Sequence, residues 1–161
     1  MENIWESING LFDKNDRAAY KCLKELESAS EQDSHIYPFF DIFVNMLDND
    51  NSYIRTRGLL LISANAKWDT DNKIDGIIDK YLSHVMDDKP ITARQCIKAL
   101  PGIAKYKPDL IEDILSALEK ADPQRYAESM QSLIHNDIRA VLKMINGLSN
   151  RLPRNASSAR K

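Results

Sequence analysis

Hydrophobic residues recur at helical spacing along most of the chain, and residues 51–68 form the most apolar of the resulting segments. Its main apolar face occupies positions i, i+4, i+7 and i+8, namely Ile54, Gly58, Leu61 and Ile62. Leu59 and Leu60 extend the apolar surface around the side. Because a helix that is apolar on several sides needs neighbours on several sides, the pattern predicts a central helix packed between others.

The same periodicity predicts helices before this segment. We expect a short helix within residues 3–12, a second from an N-cap at Asp16 to about Ala29, and a third that begins near Pro38. In the second of these helices, Tyr20 belongs to the predicted apolar stripe.

Further helices are predicted after it. One is capped by Thr70 or Asp71, one carries an apolar stripe from Ile91 and should kink or break at Pro101, and one opens at Pro108.

The last predicted helical region starts at Asp122-Pro123, breaks and restarts at Asn136-Asp137, and ends with a C-cap at Gly147. No segment shows the alternation of a strand. The chain is therefore predicted to be all-α, with seven to eight helices.

Composition limits the class of protein. A chain of 161 residues with 43% hydrophobic and 29% charged residues is typical of one soluble domain, which we place at residues 1–148. The net charge of −2 argues against bulk nucleic-acid binding. Cys22 and Cys96 lack metal-ligand spacing and are predicted to be core thiols, so no cofactor or metal is expected.

The chain termini suggest a location. Residues 1–10 have neither the basic start nor the apolar run of a signal peptide, and no stretch reaches the roughly 20 apolar residues of a membrane span. We therefore expect a cytoplasmic protein without a membrane association. Residues 149–161 form a predicted basic, polar tail.

A repeat of about 37 residues relates two parts of the chain. Ile54 and Ile91 are 37 residues apart, and so are Arg57 and Arg94. This length is typical of helix-pair repeat proteins.

The repeat residues resemble a known pattern. Leu47-Asp48, Ile54-Arg55, Gly58 and Leu61-Ile62 resemble the HEAT-repeat sequence of leucine-aspartate, valine-arginine, small residue and apolar pair, and Ala99-Leu100 resembles that pair one repeat on. In the second unit the arginine is displaced, because Arg94 aligns with Arg57 rather than Arg55. The resemblance, over residues 16–148, implies a right-handed α-solenoid of antiparallel helix pairs whose concave face binds a partner.

Charge is segregated along the chain. Segments 51–68 and 89–107 contain basic residues and no acidic ones, whereas the segments between and after them are mainly acidic. The candidate acidic face comprises Asp41, Asp75, Asp79, Glu112 and Asp113. The candidate basic face comprises Arg55, Arg57, Arg94, Lys98 and Lys105.

Two interpretations of this segregation stay open. The helices could neutralise one another through ion pairs, or stacking could align like charges into faces that attract a charged partner. If the second helices line the concave side, as the resemblance implies, the groove is acidic and favours a basic peptide.

No pattern of catalytic residues is present. The chain lacks a phosphate-binding glycine loop, a nucleophile elbow and a zinc-binding HExxH sequence, and His35, His84 and His135 are isolated. Some HEAT-like proteins are DNA glycosylases with an aromatic and an acidic residue in a basic groove, but Trp68-Asp69 has no second tryptophan nearby.

Two functions follow as hypotheses. The first is a non-enzymatic adaptor or scaffold that binds a protein or peptide along a charged face. The second is a nucleic-acid-associated module, which would use the basic face together with the tail residues Arg151, Arg154, Arg160 and Lys161.

Overall fold

A computed structural model describes residues 3–150, and in this range the chain folds into eight α-helices without a β-strand. The helices are α1 (Ile4–Gly10), α2 (Asp16–Gln32), α3 (Phe40–Met46), α4 (Ser52–Ala64), α5 (Lys73–Leu82), α6 (Pro90–Tyr106), α7 (Ile111–Lys120) and α8 (Glu128–Asn150). Single turns of 3-10 helix precede or follow several of them, at Tyr37–Phe39, Ala66–Trp68, Ser83–Met86, Pro108–Leu110 and Pro123–Arg125. The all-α prediction is confirmed.

Asparagine side chains cap the N-termini of α2 and α4. Asn15 accepts hydrogen bonds from the N–H groups of Arg17 and Ala18, and Asn51 accepts one from Tyr53 N–H. These bonds satisfy N–H groups that have no partner within the helix. The prediction of Asp16 as the N-cap of α2 is therefore wrong by one residue.

The predicted central position of α4 is confirmed. Leu59, Leu61 and Ile62 are fully buried, and the helix contacts α2, α3 and α6. Gly58 faces α3 so closely that a Cβ atom there would lie 2.8 Å from the carbonyl oxygen of Phe43. The small residue thus allows two helix backbones to approach.

The C-terminal helix is longer than predicted. α8 continues through Asn136-Asp137 and Gly147 without the predicted break or C-cap. Its inward positions Ile134, Ile138, Val141 and Ile145 are all buried, so one uninterrupted stripe holds the helix against the core.

Two other predicted helix boundaries also differ. Pro101 lies inside α6, which continues to Tyr106, so the alternative of a break there is wrong. Neither Thr70 nor Asp71 caps α5, because the carboxylate of Asp69 accepts the N–H groups of Lys73 and Ile74 instead.

The helices contact one another in a regular order. α2 contacts α4, α4 contacts α6, and α6 contacts α8, while α1 lies against α2 and α7 against α6 and α8. α3 contacts α4, and side-chain bonds from Lys73 to Asp41 and from Lys80 to Asp48 join α3 and the turn after it to α5. Right-handedness and antiparallel pairing stay predictions.

Hydrogen bonds between the helices repeat at similar sequence separations. Thr56 and Thr92 are bonded across 36 residues, and Ser63 donates to the carbonyl of Ala99 across 36. Tyr37 reaches Asp69 across 32. The two separations of 36 residues lie near the 37-residue spacing found in the sequence, and both of those bonds join α4 to α6.

The predicted boundary between domain and tail falls within α8, which extends to Asn150. The tail residues Arg151, Arg154, Arg160 and Lys161 lie outside the described residues.

Candidate functional site

An open groove of about 890 Å³ crosses the N-terminal turns of α2, α4 and α6. Its walls include Asp16-Arg17 from α2, Ser52-Tyr53 from α4, and Pro90 to Thr92 from α6. The hydrogen bond between Thr56 and Thr92 joins α4 to α6 at the groove, with 2.9 Å between the hydroxyl oxygens.

Large apolar side chains are exposed in this groove. Tyr20, Tyr53 and Ile91 retain 57%, 58% and 56% of their accessible surface, and each comes from a different helix. Leu60 and Leu23 lie beside them with less exposure. The predicted inward orientation of Tyr20 and Ile91 is therefore wrong, because both lie at the edge of their stripes where no further helix covers them.

Basic groups predominate among the charged residues of the groove. Arg17, Lys24, Arg57 and Lys89 line it, against one carboxylate, Asp16. Lys24 pairs with Glu27, 3.2 Å away, and Asp16 with Arg57, 3.4 Å away. Within residues 3–150, Arg17 and Lys89 form no ion pair, so they give the groove an uncompensated positive charge.

The three arginines of the predicted basic face are all bonded within the protein. Arg55 binds Asp87 through two nitrogens, at 3.0 and 2.7 Å, and Arg94 Nε lies 2.6 Å from Asp137. Hydrogen bonding to these carboxylates, against the opposing effect of burial, raises the pKa of both guanidinium groups.

The third arginine, Arg57, is buried and donates to the carbonyl oxygen of Leu11 at 2.8 Å. Lys98 and Lys105 are exposed on α6, and neither lines the groove. The structure thus does not bring the five residues of the predicted basic face together as one free surface.

The predicted acidic face is partly neutralised. Asp41 lies 3.3 Å from Lys73, and Asp75 lies 3.1 Å from Lys107. Asp79, Glu112 and Asp113 are exposed on α5 and α7 and form no ion pair with another described residue. The neutralising interpretation therefore applies to part of this set, and three carboxylates stay open to solvent.

Asp69 is the centre of a buried polar network. Its carboxylate accepts the Tyr37 hydroxyl at 2.6 Å and lies 3.0 Å from Lys107 Nζ, and it also accepts two backbone N–H groups at the start of α5. Burial alone would raise the pKa of Asp69, but these hydrogen bonds outweigh it and lower the pKa. Since the side chain has no exposed surface, Asp69 is not positioned to act on a nucleobase.

Asp87 forms a second buried network. It accepts from Arg55, from Lys89 N–H at 2.9 Å and lies 2.7 Å from His84 Nδ1. Burial opposes ionisation here too, but the bonds from His84, Arg55 and Lys89 hold the pKa of Asp87 well below its ordinary value. The network joins α4 to the turn before α6, which is a structural role.

Across the described residues, no three His, Cys, Asp or Glu side chains lie close enough to hold a metal ion. None of the helices there has the length and apolar content needed to span a bilayer.

Comparison with known proteins finds no matching family model, no matching curated protein and no matching solved structure. The HEAT resemblance therefore depends on the repeat residues of the sequence.

Proposed function

We propose that the protein is a non-enzymatic α-solenoid of HEAT type that acts as an adaptor or scaffold and binds a protein or peptide along a charged face. The observation that carries the proposal is the groove on α2, α4 and α6, where exposed apolar residues and unpaired basic residues lie together. Apolar side chains exposed together within a polar rim are a common feature of protein-binding surfaces.

The contacts between repeat units support the solenoid part of the proposal. α2, α4, α6 and α8 contact one another in sequence order, and bonds such as Ser63 to Ala99 recur near the repeat length. A series of helices stacked in this way offers a continuous surface to which each unit contributes one helix.

A nucleic-acid-associated role has less support. Arg55, Arg57 and Arg94 already bond to carboxylates or carbonyls, which leaves Lys98 and Lys105 as the exposed members of the predicted basic face. Two free cations on that face offer few phosphate contacts and little salt-dependent affinity.

Affinity purification of the tagged protein from its native cells, followed by binding of the purified candidates in calorimetry, tests the proposal. We expect a protein that binds stoichiometrically and is not chemically altered.

In parallel, labelled duplex DNA and single-stranded RNA are titrated at low and moderate salt, with Lys98→Ala/Lys105→Ala as the matched variant. Nucleic-acid binding that falls steeply with salt and is lost in this variant, without any protein partner, would favour the alternative.

A further inference from the structure

The groove across α2, α4 and α6 has a chemistry that defines the kind of segment it accommodates. Its apolar residues Tyr20, Tyr53 and Ile91 are contributed one from each helix and are more than half exposed. Aromatic and large aliphatic side chains in a groove are the usual anchors for a bound peptide. The ligand must therefore bring apolar residues of its own.

The charges around these anchors have one predominant sign. Arg17 lies on the first turn of α2 and Lys89 immediately before α6, and neither pairs with another residue described. The first turns of α4 and α6, which also line the groove, contain no acidic residue. A ligand with carboxylates beside its apolar residues complements this field.

The spacing of the anchors favours a helical ligand. Packed helices have axes about 8–10 Å apart, so we expect anchors contributed one each by α2, α4 and α6 to succeed one another at about that interval. In an α-helix, residues i and i+7 lie on one face about 10.5 Å apart. An extended chain repeats its side-chain direction about every 6.7 Å, which matches the interval less well.

We propose that this groove binds an acidic amphipathic helix of a partner protein, whose apolar face lies against Tyr20, Tyr53 and Ile91 and whose carboxylates face Arg17 and Lys89. The inference rests on the proposed function and specifies its binding surface and partner chemistry. It differs from the basic peptide that the sequence favoured, because the charged residues that line the groove are mainly basic.

A random 18-residue peptide library displayed on phage, selected against the purified full chain, tests the inference. We expect the enriched peptides to be net negative, with apolar residues at helical spacing. One enriched peptide is then synthesised with a fluorophore, and its anisotropy is measured against the wild type and the groove variants Tyr53→Ser and Ile91→Ser. Each variant should weaken binding by roughly tenfold or more.

Charge is tested separately. Lys89→Glu should weaken the same peptide by roughly tenfold, with a smaller loss at high salt. Tyr106→Ser and Lys98→Glu alter exposed residues of α6 outside the groove and should leave binding unchanged. All the altered side chains are exposed, so equal circular dichroism and thermal unfolding verify that each variant is folded.

The outcomes separate the two proposals. Peptides that enrich but are neutral or basic, or that bind the groove variants as well as the wild type, overturn the acidic-helix inference and leave the adaptor function standing. A library that yields no ligand at all contradicts both. Sedimentation showing a dimer that Ile91→Ser dissociates would assign the groove to a second copy of the chain and would also overturn the inference.

Discussion

The packing of α4 against α3 leaves no room for a side chain at Gly58. A Cβ atom at this position would meet the Phe43 carbonyl oxygen at 2.8 Å and the Cβ of Met46 at 2.9 Å. Both contacts are shorter than normal packing allows, and one involves backbone that cannot rotate away. The absence of a side chain is therefore what lets these helices lie together.

We predict that Gly58→Ala lowers the free energy of unfolding by about 1–3 kcal/mol, because the strain of overpacking exceeds the better helix propensity of alanine. Urea denaturation gives the value directly. Gly76→Ala is the matched control, since Gly76 lies within α5 and a Cβ there meets nothing within 4 Å. That variant should gain about 0.5–1 kcal/mol. A Gly58 variant as stable as the wild type would contradict the close approach of α3 and α4.

The ionised carboxylate of Asp87 makes the free energy of unfolding depend on pH. Its pKa is lowered in the folded protein by bonds from His84, Arg55 and the backbone of Lys89, so the folded state favours the carboxylate. A group whose pKa is depressed on folding stabilises the protein above its unfolded pKa of about 3.9. That contribution is lost as the pH falls below this value toward the folded pKa.

We therefore predict that Asp87→Asn is less stable than the wild type by about 3 kcal/mol at pH 7, because Arg55 loses its partner in a mostly buried site. The difference should narrow by on the order of 1 kcal/mol per pH unit below about pH 4, because the Asp87 carboxyl then protonates in the unfolded chain while it stays ionised in the folded protein. Urea denaturation between pH 7 and pH 3 measures both effects. Asp88→Asn is the control, since Asp88 is 84% exposed and its pair with Arg125 contributes less than about 1 kcal/mol. A difference independent of pH would contradict this role of Asp87.

The burial of apolar residues is easier to predict from the sequence than the contacts that a charged residue makes. Ile54, Leu61 and Ile62 follow directly from helical periodicity, and all are buried. Arg57, by contrast, was assigned to a surface although it bonds to the Leu11 carbonyl 46 positions earlier in the chain. A contact so distant in sequence leaves no local pattern, so only the three-dimensional structure identifies it.

At the scale of the helix, α4 carries the core of the molecule. It contacts α2, α3 and α6, and it has buried residues around most of its circumference. The exposed part is the first turn, where Tyr53 faces the groove. One helix thus serves both packing and the proposed binding surface, and the two roles can be separated by substitution.

Leu61→Ala should lower the free energy of unfolding by about 2–5 kcal/mol, because it removes a fully buried side chain from a packed site. Tyr53→Ala, on the same helix, should change it by less than about 0.5 kcal/mol, since the ring is mostly exposed. Thermal and urea denaturation of the two variants give the comparison. Equal effects would mean that α4 is not buried on the side assigned to it.

The presence of the helices could be predicted from the sequence, whereas some helix boundaries could not. Asn136-Asp137 reads as a break because both residues favour caps, but Asp137 is held by Arg94 of α6 and the stripe from Ile134 to Ile145 stays continuous. Tertiary packing thus overrides a local preference of a few tenths of a kcal/mol per residue. The groove was missed for a related reason, because periodicity places Tyr20 and Ile91 on apolar stripes without showing how far the neighbouring helices extend.

At the scale of the whole molecule, two arginines that are 37 residues apart bond to opposite ends of the described chain. Arg57 of α4 bonds to the Leu11 carbonyl and lies near Asp16, toward the N-terminal helices. Arg94, its counterpart 37 residues later in α6, bonds to Asp137 of α8. Because each arginine joins a different pair of neighbouring elements, they offer a test of how stability is distributed along the chain.

In a solenoid each unit contacts only its neighbours, so a local defect opens the adjacent helices before it affects distant ones. We predict that Arg94→Met speeds amide hydrogen exchange mainly in residues 128–150, because it leaves the mostly buried carboxylate of Asp137 unpaired. Arg57→Met should instead speed exchange mainly in residues 4–32. Exchange measured by mass spectrometry on both variants gives the two profiles, each serving as the control for the other. Faster exchange spread evenly over all eight described helices in both variants would indicate one cooperative globule, and would contradict the nearest-neighbour stack on which the proposed solenoid depends.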